Sequence, residues 1–523
     1  MSENHLRRAL ESGEFIYTAE LVLSRDYVLS EVEQFVKDAA KASGEIKVIS
    51  LTDLPSGNPA IPPESFASFI VEHKLTPLVH LTSKDVNRAF LEGRMYALAR
   101  IGAENVLTLS GDAPTTGFKG KPKSVYDLDS VQFIRLITEM RKGISYQVGK
   151  RTLQTPPFNF FIGAVVNPFK IVESALMTQL YKLELKIRCG AQFFITQLGY
   201  NIRKLYELRQ YMKREGLDHI PVLTNVYVPT ATIARLMQSG EVPGCIIPDR
   251  FIQILGKEKK LQRLERAALM VAAAKELGFA GAHIGGFGLT HNDFLTIISK
   301  ADEIGDRWRE RMDELIFEVG ADDFYLLPKG KDGLSDDSQS YNVPRAHPKR
   351  SFKSRIFSLM NILVVSERSP AGKYFKWRLK RLRRKYGVEG DMWRRGLTYR
   401  LLSLADVVKK YILGCVHCGD CIQDYIKYTG CSMGKCIKET RNGPCGGSRV
   451  DGTCEVNPDL QCVWNTAYLN LFGAGEDPRK FAYTLIPPRE WNLNRTNSLA
   501  NYLAEADSYN LRTKVDLKLP KKE

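Results

Sequence analysis

Residues 76–112 read TPLVHLTSKDVNRAFLEGRMYALARIGAENVLTLSGD. The apolar run Thr76–Thr82 is followed by a helical pattern over Asp85–Ile101 and then by a second apolar run, Asn105–Gly111. Strand, helix and strand in so short a span make a βαβ unit, because a crossover helix returns the chain to the same edge of a parallel sheet. Similar strand runs recur at Phe15–Leu21, Lys47–Asp53, Phe160–Asn167, Phe193–Gly199, Pro221–Tyr227 and Gly281–Phe287. Helical patterns stand among them at Leu29–Ser43, Asp129–Arg141, Ile171–Cys189, Ile202–Glu215 and Leu261–Leu277. Eight such units over about 290 residues predict an α/β fold of the (β/α)8 TIM-barrel type. A doubly wound open sheet is the alternative, but no G-x-G-x-x-G follows the first strand.

Chemistry in such a barrel lies at the C-terminal ends of the strands. Polar residues collect there: Glu20, Thr52, His80 with Thr82, Ser110-Gly111-Asp112, Asn167 and Gln197. One carboxylate at a strand end is most often a helix cap or a solvated loop group. Six strands ending this way are harder to dismiss, because buried parallel strands are otherwise nearly all apolar. Their convergence would line one mouth with two carboxylates, an imidazole and an amide.

Downstream of the barrel the pattern changes. The stretch 320–350 is rich in Asp, Gly, Ser and Pro, with Lys-Gly-Lys-Asp-Gly at 329–333, and reads as a linker. Residues 345–410 then hold nineteen Lys and Arg against Glu367, Glu389, Asp391 and Asp406, which accounts for nearly all of the chain's formal charge of +16. Phe375, Trp377, Leu379, Leu382 and Tyr386 interrupt this run and suggest an amphipathic helix with a basic outer face. Three readings stay open for it: a solvated helix face, a docking surface for an acidic electron-carrier protein or partner subunit, or a nucleic-acid contact. No nucleic-acid-binding motif accompanies the charge, so nucleic acid is not expected as a partner.

Eight of the ten cysteines follow, at 415, 418, 421, 431, 436, 445, 454 and 462, opening as C-x2-C-x2-C. Eight thiolates suffice for two four-sulfur metal sites. The opening triplet suits a [4Fe–4S] cubane, while zinc fits either set equally well. A disulfide framework is disfavoured, since the rest of the chain carries only two cysteines and the N-terminus MSENHLRRALESGEF is too polar for a secretory signal. Hydrophobic content of 44% and charged content of 26% are those of a soluble globular protein. The longest apolar run, 356–365, is about half a membrane span. The expectation is a cytoplasmic protein with no membrane span. Its parts are a barrel over 1–320, a linker over 321–350, a basic helical segment over 351–412, a cysteine-rich module over 413–475 and a tail over 476–523 with a helix at Ser498–Tyr509.

With these residues in place, the chain resembles methylenetetrahydrofolate reductase. The resemblance covers roughly residues 10–305 and rests on Ala19-Glu20, Ser50-Leu51-Thr52, His80-Leu81-Thr82, Leu109-Ser110-Gly111-Asp112-Ala113-Pro114, Cys189-Gly190-Ala191 and Ile195-Thr196-Gln197. The tail, with Cys418-Gly419-Asp420-Cys421, Asn442-Gly443-Pro444-Cys445-Gly446-Gly447, Cys454-Glu455-Val456 and Cys462-Val463-Trp464, is similar to the cysteine-rich module that some bacteria and archaea fuse to this reductase.

The resemblance implies flavin-dependent reduction of 5,10-methylenetetrahydrofolate to 5-methyltetrahydrofolate, or the reverse. Glu20 is then the general acid that opens the imidazolidine ring, Asp112 the carboxylate beside flavin and folate, and Gln197 the amide on the pterin. Thr52, His80, Ser110, Gly111, Asp112, Tyr126, Asn167 and Lys186 align with flavin-contacting positions. Ser110 stands where an arginine is common, Asn167 where a histidine is common, and Ile284-Gly285-Gly286 where a tyrosine is often found. FAD is preferred to FMN, the donor is NAD(P)H or an acidic carrier such as ferredoxin, and a homo-oligomer is expected. The alternatives are a folate-dependent methyltransferase and a non-catalytic electron-transfer subunit.

Overall fold

The computed structural model describes residues 3–25, 29–41, 44–342, 352–366, 369–386, 394 and 396–512. Its ten strands are β1 (Ile16–Leu21), β2 (Ile46–Leu51), β3 (Thr76–Thr82), β4 (Asn105–Leu109), β5 (Ser145–Val148), β6 (Arg151–Gln154), β7 (Phe161–Val166), β8 (Phe193–Thr196), β9 (Val222–Tyr227) and β10 (Gly281–Gly285). Strands β5 and β6 form a separate exposed hairpin. The other eight close into a parallel barrel in the order β1-β10-β9-β8-β7-β4-β3-β2, which is the (β/α)8 fold expected.

Strand alternation sorts the side chains into two environments. Tyr17, Ala19 and Leu21 of β1, like Val79 and Leu81 of β3, join the large core between barrel and helices. The opposite parity fills the barrel. Ile16, Val48, Leu78, Leu107, Phe161, Phe193 and Leu223 form an inner cluster, closed by Leu6, Ala9 and Leu10 of the helix His5–Ser12. One pleat further along the same parity the residues turn polar: Thr18 and Glu20, Ser50, His80 and Thr82, Asn225, His283. The barrel is apolar at its base and hydrogen-bonding toward its C-terminal mouth.

The expected linker behaves differently from its composition. Phe324, Leu326, Leu327 and Leu334 belong to the main core. Glu207 accepts from the Leu326 and Leu327 amides at 2.9 and 3.0 Å and from Ser335 Oγ at 2.7 Å. The Gly and Asp turns serve a packed strap. Residues 343–350 lie outside the described residues. Three helices follow, Phe352–Met360, Pro370–Tyr386 and Leu397–Leu413. Leu379 and Leu402 pack with Leu499, Ala500 and Leu503 of the tail, where the expected helix is shorter, Ser498–Leu503. Among the described residues, no helix is long and apolar enough to cross a membrane.

The cysteine-rich module docks on the barrel. Tyr181 of the barrel helix Glu173–Cys189 packs with Ile422, Tyr425, Trp464, Tyr468 and Phe481. A polar clamp holds the loop 441–448 above the mouth. One oxygen of Asp129 caps its own helix, accepting from the Val131 and Gln132 amides at 3.0 and 3.1 Å. The other oxygen accepts from the Arg441 amide, the Asn442 amide and Asn442 Nδ2 at 3.0, 2.9 and 2.9 Å. Lys170 donates to the Ser448 carbonyl at 2.5 Å, and Lys182 to the Gly443 and Pro444 carbonyls at 3.4 and 3.0 Å.

Asp129→Ala removes a helix cap, worth about 1 kcal/mol, and strands several buried donors that cost about 1–3 kcal/mol each. A loss of about 3 kcal/mol or more is expected in chemical denaturation, with earlier proteolytic cleavage between barrel and module. Unchanged stability and cleavage would contradict the clamp.

Candidate functional site

The C-terminal mouth holds a cavity of about 280 Å3. Glu20, Thr52, His80, Ser110, Gly111, Asp112, Asn167, Lys186 and Gln197 all line it, so the strand-end residues do converge. Tyr126 stands apart from that lining. It is buried, carries a positive φ of 44°, and its hydroxyl has no hydrogen-bond partner. Gly111, at φ 77°, is where only glycine fits, since a Cβ there would lie 2.8 Å from Thr82 and Lys84.

At the floor of the cavity His283 links two residues of β1. Its Nδ1 lies 2.6 Å from Thr18 Oγ1 and its Nε2 3.0 Å from Glu20 Oε2. His80 Nε2 lies 2.6 Å from Ser50 Oγ. Burial pushes the Glu20 carboxyl upward, but the His283 hydrogen bond and the positive potential of His283 and His80 outweigh it and hold the group below its ordinary value. Desolvation therefore does not keep a proton on Glu20, whose carboxyl is held by the hydrogen bond to His283. Burial drives His80 down to about 4, against the opposing pull of Glu20. Donor atoms of Glu20, His80 and His283 lie within 4.8 Å of one another, a spacing a cation could bridge. The bonds to Ser50 and Thr18 already account for the arrangement.

Asp112 is pushed upward by burial, with Lys438 opposing and Glu455 adding to the rise. Two residues matched to flavin contacts are occupied by backbone. Asn167 Nδ2 donates to the Gly244 and Gly446 carbonyls at 3.3 and 3.2 Å, and Lys186 Nζ to the Val165 carbonyl at 2.6 Å. Burial lowers Lys186 well below the usual lysine range, with the neighbouring Lys182 adding to the fall.

No feature of the sequence signals that the module enters this cavity. Lys438, Cys445, Gly446, Gly447 and Glu455 line it together with the barrel residues. His283 was missed for a different reason. Its parity with Gly281 and Gly285 places it inward, a signal present in the strand but masked by the flanking glycines.

The eight cysteines sort into two quartets by mutual electrostatic contact. Burial pushes Cys431 up to about 12, with Cys418, Cys421 and Cys415 adding to the rise. Burial likewise raises Cys445 to about 12 and Cys462 to about 11; Cys436 adds to both, Cys462 to the first and Cys454 to the second. Thiols so buried stay protonated without a cation to hold them as thiolates. No three cysteine sulfurs approach within 4.8 Å of one another among the described residues.

Two family models match the chain. The family described as "Methylenetetrahydrofolate reductase" matches residues 5–283, and one described as "Methylene-tetrahydrofolate reductase C terminal" matches residues 396–492. The chain belongs to the methylenetetrahydrofolate reductase family. Methylenetetrahydrofolate reductase 2 of Schizosaccharomyces pombe is 24% identical over 197 residues, 36% of this chain and 28% of that protein. The match therefore spans little more than a quarter of that relative. Among solved structures, an uncharacterized Clostridium thermocellum protein that binds two copies of 5-methyl-5,6,7,8-tetrahydrofolic acid is 14% identical, with TM-score 0.40 over 57% of this chain and 98% of that one. A 2,3-dimethylmalate lyase is 13% identical, with TM-score 0.33 over 57% of this chain and 84% of that one. Neither score bears on function.

His80 provides a pH test. Its depressed value means that the unfolded chain binds a proton near 6.5 and the folded chain only near 4, so folding stability falls as pH drops through that window. NMR should find a neutral His80 ring at pH 6, and His80→Gln should flatten the loss between pH 6.5 and 4. A ring that titrates near 6.5 in the folded protein would contradict the buried, hydrogen-bonded placement.

Proposed function

We propose that this chain interconverts 5,10-methylenetetrahydrofolate and 5-methyltetrahydrofolate with a bound flavin in the barrel mouth. The reading is carried by the convergence of Glu20, Asp112 and Gln197 in one cavity of a family member. A fused aromatic ring suits a cavity of this size, and the buried Tyr126 hydroxyl, outside that lining, lacks a protein partner. FAD and FMN both stay open, FAD preferred on resemblance. Bound flavin supplies the hydride.

The chain's own residues do the rest. Glu20 is placed to deliver a proton to the folate N10, opening the five-membered ring to a cationic iminium, and His283, itself bonded to Thr18, orients the Glu20 carboxyl. Asp112 favours the developing cation electrostatically. Gln197 Oε1 is held by the Leu198 amide at 2.9 Å, which leaves its NH2 to orient a pterin.

The metal sites support an electron route. Cys445 lines the barrel mouth, so the quartet Cys436, Cys445, Cys454 and Cys462 adjoins the redox site. Cys421, of the quartet Cys415, Cys418, Cys421 and Cys431, lines a second cavity together with Leu402, Lys409 and Leu413 of the helical segment. Four-thiolate sites take zinc or a [4Fe–4S] cluster, and the C-x2-C-x2-C opening of the Cys415 quartet favours a cluster there, with zinc or a second cluster in the other. The helix Pro370–Tyr386 exposes Arg378, Arg381, Arg384 and Lys385, a surface that would steer an acidic carrier or partner subunit.

Two outcomes are expected. Flavin-reconstituted protein, reduced anaerobically, is reoxidised by methylenetetrahydrofolate, and Glu20→Gln slows this about 10²-fold or more while flavin stays bound. A chain that stays colourless, or a Glu20→Gln variant at the normal rate, would sink the reading. Anaerobically purified protein carries iron and acid-labile sulfide, with carrier-linked turnover that falls steeply with salt. Zinc alone in both quartets would defeat the electron route.

A further inference from the structure

Lys438 is almost completely buried, yet it belongs to the module and reaches the barrel. Its Nζ lies 2.5 Å from Glu455 Oε1 and 4.0 Å from Asp112 Oδ1, and its side chain is 5% exposed. Glu455 is placed by glycine. A Cβ on Gly447 would come within 1.8 Å of the Glu455 carboxyl carbon, so the carboxylate lies directly over that backbone. Cys445 Sγ is 3.8 Å from Glu455 Oε1. One ammonium thus stands between a carboxylate of the module and a carboxylate of the barrel, on the wall of the cavity that holds the proposed acid.

Isolated buried charges are costly, and a buried lysine persists where opposite charges surround it. Glu455 alone would neutralise Lys438. Asp112 is the second anion within reach, and it is the group placed beside the redox ring.

We propose that Lys438 is a positioning residue of the barrel's ligand site, supplied by the cysteine-rich module, whose fixed positive charge offsets Asp112 and so sets the affinity of the mouth for reduced, anionic flavin. This rests on the flavin reading above. The site is complete only when the module is docked, and the barrel alone would present Asp112 without Lys438. The two residues act in opposite directions. A negative charge disfavours an anionic ring, and a nearby positive charge favours it.

The test measures dissociation constants for oxidised and dithionite-reduced FMN and FAD in full-length wild type, Lys438→Met, Lys438→Arg, Asp112→Asn and the Lys438→Met/Asp112→Asn double variant. Lys438→Met should weaken reduced relative to oxidised flavin about tenfold, which for a two-electron couple is about 30 mV of lowered potential. Asp112→Asn should shift the ratio the other way, Lys438→Arg should stay near wild type, and the double variant should fall between the singles. A merely structural lysine would not produce opposite signs.

If Lys438→Met fails to fold, Glu455→Gln decides, since releasing the ammonium from its competitor should strengthen reduced-flavin binding. An unchanged ratio in Lys438→Met, or in Glu455→Gln where that variant decides, overturns the inference while leaving flavin binding intact. A wild-type chain that takes up no flavin defeats both the functional reading and this inference.

Discussion

The contact on which the rest depends is the clamp between the barrel face and the loop 441–448. Asp129 receives three donors from Arg441 and Asn442, while Lys170 and Lys182 donate to the carbonyls of Ser448, Gly443 and Pro444. Nearly all these bonds go to module backbone, so the clamp fixes the path of a loop. That path brings Cys445, Gly446 and Gly447 over the mouth, and Lys438 and Glu455 with them. The barrel's burial of lysines follows from the same contact. Lys182 lies deep because it is covered by the module, and burial holds it below the usual lysine range.

Ionisable groups in the mouth are arranged in facing pairs. Glu20 faces His283 on the floor, and Asp112 faces Lys438 on the wall. Each pair joins residues far apart in the chain, and the second pair joins two structural units. Such pairing lowers the cost of holding ionisable groups where water is scarce. It also ties the barrel mouth to a module built around thiols.

Much of this was readable in the sequence, and the reasons are particular. The βα alternation located all eight barrel strands, because parallel strands buried on both faces form short, unmistakable apolar runs. The polar strand ends were legible for the same reason: Glu20, His80 and Asp112 interrupt patterns that should have stayed apolar. His283 was hidden by its flanking glycines. Lys438 and Glu455 were illegible, since a lysine two residues after a metal-type cysteine carries no periodicity and its role depends on docking. The strap at 324–335 was misjudged because its Gly and Asp turns outweighed the Phe-Tyr-Leu-Leu run at 324–327, which is the part that reaches the core.

The central claim is that barrel and module share one ligand site. Hydrogen–deuterium exchange on the full chain, with and without 5-methyltetrahydrofolate, tests it most directly. Ligand should protect amides around Lys438, Gly446, Gly447 and Glu455 together with those at 52–56 and 110–112 of the barrel. Protection confined to the barrel, with the module amides unchanged, would contradict the shared site.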